Sequence, residues 1–204
     1  RWIVDPIDGT TNYVHGFPAY CVSIALATAA GLEVGVILDP VRDECFAARR
    51  GGGATLDGRP IGVRPVATLD DAIVAVSFPA HVTVDSVAIA DFLAVVSRAH
   101  SVRRTGSTAL NLAYVACGRL HGFWARRIAC WDVAAGLLIA REAGAVVEPF
   151  SGPGADVRLD DPAFIVASTP GLMAELRGAL GEAGGGPEPG SGRAGRAGRA
   201  GCAP

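Results

Sequence analysis

A change of rhythm about a third of the way along this 204-residue chain constrains its fold most. Up to Val76, β-rich runs follow one another directly. Residues 21–28 and 33–38 are joined by Ala29-Ala30-Gly31-Leu32, a hairpin signal. Asp39-Pro40 turns the chain, residues 44–48 form another strand, and Gly51-Gly52-Gly53 breaks it before a short run near Asp57-Gly58. Residues 72–76 make a further strand. Beyond them Val84, Val87, Ala88, Phe92 and Val95 recur at helical spacing and predict a helix over 84–98. Strand and helix then alternate: strand 102–104, helix 107–117, strand 120–124, helix 132–143, strands at 146–147 and 164–167, and a last helix over 171–180. A meander followed by alternating units predicts an α/β layered fold.

Half of the residues are hydrophobic, enough to bury a core as one domain or two closely packed lobes. The net charge of −2 gives no strong attraction to nucleic acid or anionic lipid, and the 18 basic residues are all arginine. Five scattered cysteines without CxxC spacing point to buried thiols in a reducing, cytoplasmic compartment. The longest uncharged stretch, 16–32, contains Pro18 and Gly31 and reads as strand and turn, not as a membrane span. No signal peptide is read at the start. After Leu180 the composition shifts to glycine, alanine, proline and arginine, with Arg193-Ala194-Gly195 repeated at Arg196 and Arg199. This predicts a domain over 1–180 and a disordered tail over 181–204. The tail lacks the interleaved aromatics of a nucleic-acid arm.

The chemistry concentrates in Asp5-Pro6-Ile7-Asp8-Gly9-Thr10-Thr11-Asn12. Trp2-Ile3-Val4 reads as the end of a buried strand stopping at Asp5. Pro6 fixes its own φ and keeps Asp5 extended, so two carboxylates sit three residues apart on a stiff turn. Magnesium uses such preorganised oxygen ligands and keeps its other positions for water and phosphate. Gly9 lets the backbone approach an anion, and the amides around Thr10 and Thr11 can face phosphate oxygens. Asp-Pro or Asp-Gly alone would be an ordinary turn with an Asx hydrogen bond.

These eight residues resemble the first signature of the inositol monophosphatase family, magnesium-dependent and lithium-sensitive phosphatases. Trp131-Asp132-Val133-Ala134-Ala135-Gly136 resembles the second signature, and the likeness runs from Arg1 to about Leu180. The resemblance implies a layered α-β-α-β-α sandwich lacking its N-terminal helices and hairpin. It assigns Asp5, Asp8 and Asp132 to one Mg2+, with Asp5 bridging to a second and the Ile7 carbonyl as a further ligand. Asp132 by itself would be read as a helix N-cap. Thr10 would orient the attacking water, and Gly9 and Thr10 would hold phosphate. Gly106, Ser107 and Thr108, which alone read as another helix cap, match the residues that touch substrate hydroxyls.

The implied reaction is hydrolysis of a phosphate monoester of a small polyol or sugar by a two-metal activated water. The implied partner is a small phosphorylated substrate, with neither nucleic acid nor membrane, and the chain can pair as a homodimer. Two departures qualify this. Ala125 stands seven residues before Asp132, where many members have a polyol-binding glutamate, and Arg126 and Arg127 follow it. They point to a second anionic group on the substrate, and keep fructose bisphosphate, histidinol phosphate or a phosphoadenosine nucleotide as alternatives. Secondly, the family's metal-binding glutamate and the aspartate partner of Thr10 precede the first signature, which here begins at residue 5. With Arg1 first and Met173 the single methionine, the chain reads as a fragment, and an inactive truncated domain is the third reading. His15, His81, His100 and His121 show no metal spacing.

Overall fold

The computed structural model describes residues 1–79 and 81–183. Six strands, β1 (Trp2–Asp8), β2 (Cys21–Thr28), β3 (Gly31–Asp39), β4 (Glu44–Arg49), β5 (Ala54–Leu56) and β6 (Arg59–Ile61), form an antiparallel sheet in chain order. A short helix α1 (Thr10–Val14) lies between β1 and β2. The second sheet contains β7 (Ile73–Ser77), β8 (Ser101–Arg103), β9 (Gly122–Ala125), β10 (Val146–Pro149) and β11 (Phe164–Ala167), ordered β10-β11-β9-β7-β8. β7 runs parallel to both β8 and β9. Parallel neighbours need crossovers, which are α2 (Val87–Val96) from β7 to β8 and α3 (Thr108–Ala116) from β8 to β9. Helices α4 (Cys130–Glu142) and α5 (Pro170–Ala183) follow β9 and β11.

The layers stack as sheet, helix pair, sheet, helix pair. The inner faces of both sheets meet α3 and α4 in one core that includes Ile37, Phe46, Leu112, Ile139, Phe123 and Phe164. The far face of the second sheet, with Val74, Trp124 and Ile165, meets α2 and α5 in another. No helix among the described residues covers the far face of the first sheet. Trp2, Leu26 and Val34 form one cross-strand row there, and Val4, Ile24 and Val36 the next. This face is apolar yet open: Trp2 is 64% and Val4 49% exposed.

Several boundaries differ from expectation. β1 does not end at Asp5 and is not buried on both faces; it continues through Asp8. α2 starts at Val87 after Ser86, because the segment before it turns, with the Ser86 amide bonded to the Thr83 carbonyl and Val84 fully in solvent. α4 starts at Cys130, so Asp132 is not its N-cap; Ala129 holds that position and Asp132 lies in the first turn. α5 extends to Ala183, past the expected domain end at 180, and the rest of the expected tail lies outside the described residues. Among the described residues Cys21, Cys45 and Cys117 are free thiols, of which Cys21 is fully buried as expected and the other two are half-buried, while Cys130 is disulfide-bonded.

Candidate metal centre

A regular strand would send Asp5 and Asp8 to opposite faces, since side chains alternate. Here the register slips between them: Asp5 faces Ser23 and Asp8 faces Cys21, so three steps on β1 match two on β2. The extra residue is a bulge at Pro6-Ile7, where proline has no amide to give the ladder. It restores parity, and both carboxylates turn into the core at 8% and 6% exposure. The Ile7 amide donates to Asp5 Oδ1 at 3.0 Å and locks the bulge. The Thr10 hydroxyl donates to the Ile7 carbonyl at 2.9 Å, so these two expected site residues are joined to each other. Gly9, with φ of 88°, caps α1 in the left-handed region, and a Cβ there would lie 2.8 Å from the Ala19 carbonyl oxygen.

Asp132 enters from α4, whose approach to the sheet depends on Gly35. The Ser23 hydroxyl, next to this contact, donates to the Trp131 carbonyl at 3.3 Å. One oxygen from each of Asp5, Asp8 and Asp132 lies within 4.8 Å of the others. Burial, the charge of Asp8, and then hydrogen bonding to and charge on Asp5 push Asp132 up to about 8. Burial also raises Asp8, against the hydrogen bonds from Ser107 and the Ala109 amide. Three crowded carboxylates that resist common ionisation suit a hard divalent cation, which relieves their repulsion and takes oxygen ligands only. The donor set fits magnesium.

The Gly106-Ser107-Thr108 segment reaches the same point at the start of α3. Gly106 has φ of 88°, and Ser107 caps α3 by accepting the Leu110 amide at 3.2 Å. Ser107 is wholly buried and donates to Asp8 Oδ2 at 2.5 Å. Thr108 is also buried, its hydroxyl 2.9 Å from that of Ser77 at the end of β7. Ala125 packs inside the second sheet. Arg126 gives its Nε to the buried Asp91 at 2.7 Å and stacks 3.6 Å over the Phe150 ring, so it is engaged in an internal ion pair. His15 is exposed at the end of α1, and His121 Nδ1 accepts the Ile73 amide at 2.9 Å. Residues that sequence reasoning passed over are Cys21, whose thiol lies 3.7 Å from Asp8 Oδ2, and Asn12 as a latch. Only the place of Cys21 opposite the first signature and of Asn12 at its end could have marked them.

A fold of two sheets interleaved with helices, with carboxylates from an edge strand and a helix start meeting at one point, defines a layered α/β protein with an acidic cluster whose donors suit a metal ion. The sequence model of the inositol monophosphatase family matches residues 1–183, and the chain belongs to that family. It is 44% identical over 179 residues to Nus factor SuhB of Vibrio cholerae, covering 87% of this chain and 66% of that one. It is 45% identical over 156 residues to inositol-1-monophosphatase of Mesorhizobium japonicum, covering 74% and 58%. The structure of inositol monophosphatase from Anabaena superposes with a TM-score of 0.80 at 39% identity, covering 89% of this chain and 71% of that one. The chain thus spans about 66% and 58% of the length of these two sequence relatives.

Proposed function

We propose that this chain forms part of a magnesium-dependent phosphatase that hydrolyses a phosphate monoester of a small polyol or sugar. The convergence of Asp5, Asp8 and Asp132 supports the reading most directly. Two Mg2+ ions held by Asp5, Asp8, Asp132 and the Ile7 carbonyl would supply charge neutralisation and an acidified water. Around them, Gly9 and Thr10 border the phosphate. The Thr10 hydroxyl holds the Ile7 carbonyl in place, and Thr10 is exposed, so that its hydroxyl would also orient water.

The leaving group has a candidate seat at one end of the second sheet. A cavity of about 330 Å³ is lined by Pro79, His81, Ser86, Arg126, Arg127 and Asp161, just past the ends of β7 and β9. Ser77, which bonds Thr108, stands at the same sheet end. Its mixed polar lining suits a small hydroxylated or zwitterionic group. Ala125 supplies no acceptor, which supports a substrate other than the simple inositol monophosphate, with fructose bisphosphate, histidinol phosphate and phosphoadenosine nucleotides as alternatives.

The test is magnesium-dependent phosphate release from a panel of phosphate esters, with Asp132→Asn beside the unaltered chain and a version extended upstream. The expected result is release that needs Mg2+ and falls by more than about 100-fold in the variant. Full activity of Asp132→Asn overturns the reading. A second reading, binding without turnover, draws on the relatives named Nus factor SuhB. Cation binding with no release from any ester, in either length of chain, favours it.

A further inference from the structure

Asp8 is the most completely engaged of the three acids. Its Oδ2 accepts the Ser107 hydroxyl at 2.5 Å, the Ala109 amide at 2.8 Å and the Cys21 thiol at 3.7 Å. These donors come from two directions. Cys21 sits opposite Asp8 in the β1–β2 register, while Ser107 and Ala109 open α3. Cys21 and Ser107 also touch, Sγ to Oγ at 3.7 Å, and are 1% and 0% exposed. A carboxylate gripped this way by one oxygen cannot turn to offer both.

We propose that Ser107 and Cys21 are positioning residues for the metal centre: by holding Asp8 Oδ2 they present Oδ1 alone and impose monodentate ligation. The inference rests on the metal centre described above and assigns Ser107 a place behind the ligand instead of against the substrate. Monodentate carboxylates suit the tight octahedron of magnesium, whereas calcium accepts bidentate ones at longer distances. Hydrogen bonds behind a ligating group typically carry about 10–100-fold in metal affinity. The serine is the strong donor and the thiol the weak one.

The experiment measures Mn2+ and Ca2+ binding to the whole chain by calorimetry, without substrate, Mn2+ standing in for Mg2+ as an octahedral, oxygen-binding ion. Ser107→Ala is expected to weaken Mn2+ about tenfold or more while weakening Ca2+ less, so that the Ca2+/Mn2+ affinity ratio rises. Ser107→Thr, which keeps the hydroxyl, restores Mn2+ binding to within about threefold, and Cys21→Ala costs about threefold. Mn2+ binding by Ser107→Ala within about twofold of the unaltered chain overturns the proposal, as does equal weakening of both ions. Should Ser107→Ala not fold, Cys21→Ala decides, an unchanged ratio overturning the proposal. An unaltered chain that binds Mn2+ but releases no phosphate defeats the phosphatase reading alone; one that binds no Mn2+ defeats both.

Discussion

The side-chain amide of Asn12 donates to the Thr105 carbonyl at 2.9 Å across 93 positions of sequence, and to the Ala19 carbonyl at 2.6 Å. This ties the last residue of the first signature to the loop that delivers Ser107 to Asp8. Gly106 is shaped by the same contact, since a Cβ there would stand 2.7 Å from Asn12 Nδ2. Two segments that look independent in the sequence therefore behave as one unit.

Asn12→Ala leaves two carbonyls without their donor. The expected cost is about 1–3 kcal/mol of stability, read as a lower urea midpoint with an unchanged slope. Divalent-cation affinity should fall with it, because the Ser107–Asp8 bond depends on the loop. A variant matching the unaltered chain in both measurements would show that the latch is idle.

Helix α4 comes close enough to carry Asp132 because Gly35 faces it from the sheet and its own Gly136 faces α3. A Cβ on Gly35 would lie 2.7 Å from the Ala135 carbonyl oxygen, and one on Gly136 2.6 Å from Leu112 Cβ. Gly35→Ala is expected to destabilise by about 1–3 kcal/mol and to shift Asp132 out of reach of the other acids. Urea unfolding reports the first effect and Mn2+ calorimetry the second.

Arg126 and Asp91 form a largely desolvated pair, with side chains 29% and 1% exposed. Burial raises Asp91 against the lowering influence of Arg126, so removing the arginine strands a buried carboxylate. Arg126→Ala should cost about 3–5 kcal/mol. If the variant instead stays fully stable and only raises KM for doubly charged substrates, the arginine recognises substrate and the internal role is wrong.

Stability of the cation-free protein should fall as pH rises. Asp132 moves from 3.8 to about 8 on folding, so between those values the folded state holds a proton that the unfolded state has released. The stabilisation is full below about pH 4 and is lost as pH passes about 8. In chelator, the urea midpoint is expected to drop across that window and Asp132→Asn to flatten most of the slope. Cation affinity should run the other way, strengthening with pH as the competing proton leaves. A midpoint rising with pH in the unaltered chain would contradict the crowding of the three acids.

Much of the fold was legible because periodicity is local. The meander from residue 21 to 49 and the strand 164–167 match their β-rich apolar runs, and the helices fall where the period lengthens. Helix starts were read less well. Val84 fits the apolar pattern yet precedes α2, and Asp132 resembles a cap while Cys130 and Trp131 already continue the helix. In both, hydrogen bonding of the preceding turn sets the boundary, which side-chain pattern does not encode.

By itself the sequence determined which acids are present, the alternation that makes two sheets and their helices, and the signatures that place the chain in its family. The tertiary structure decided how those acids are used. A one-residue bulge, visible only once β1 pairs with β2, turns Asp5 and Asp8 to the same side. Packing of α3 set the Ser107 hydroxyl against Asp8, and pairing with Asp91 joined Arg126 to a buried acid. Residue type limits the chemistry a side chain can do, but its direction and partner depend on register and packing between distant segments.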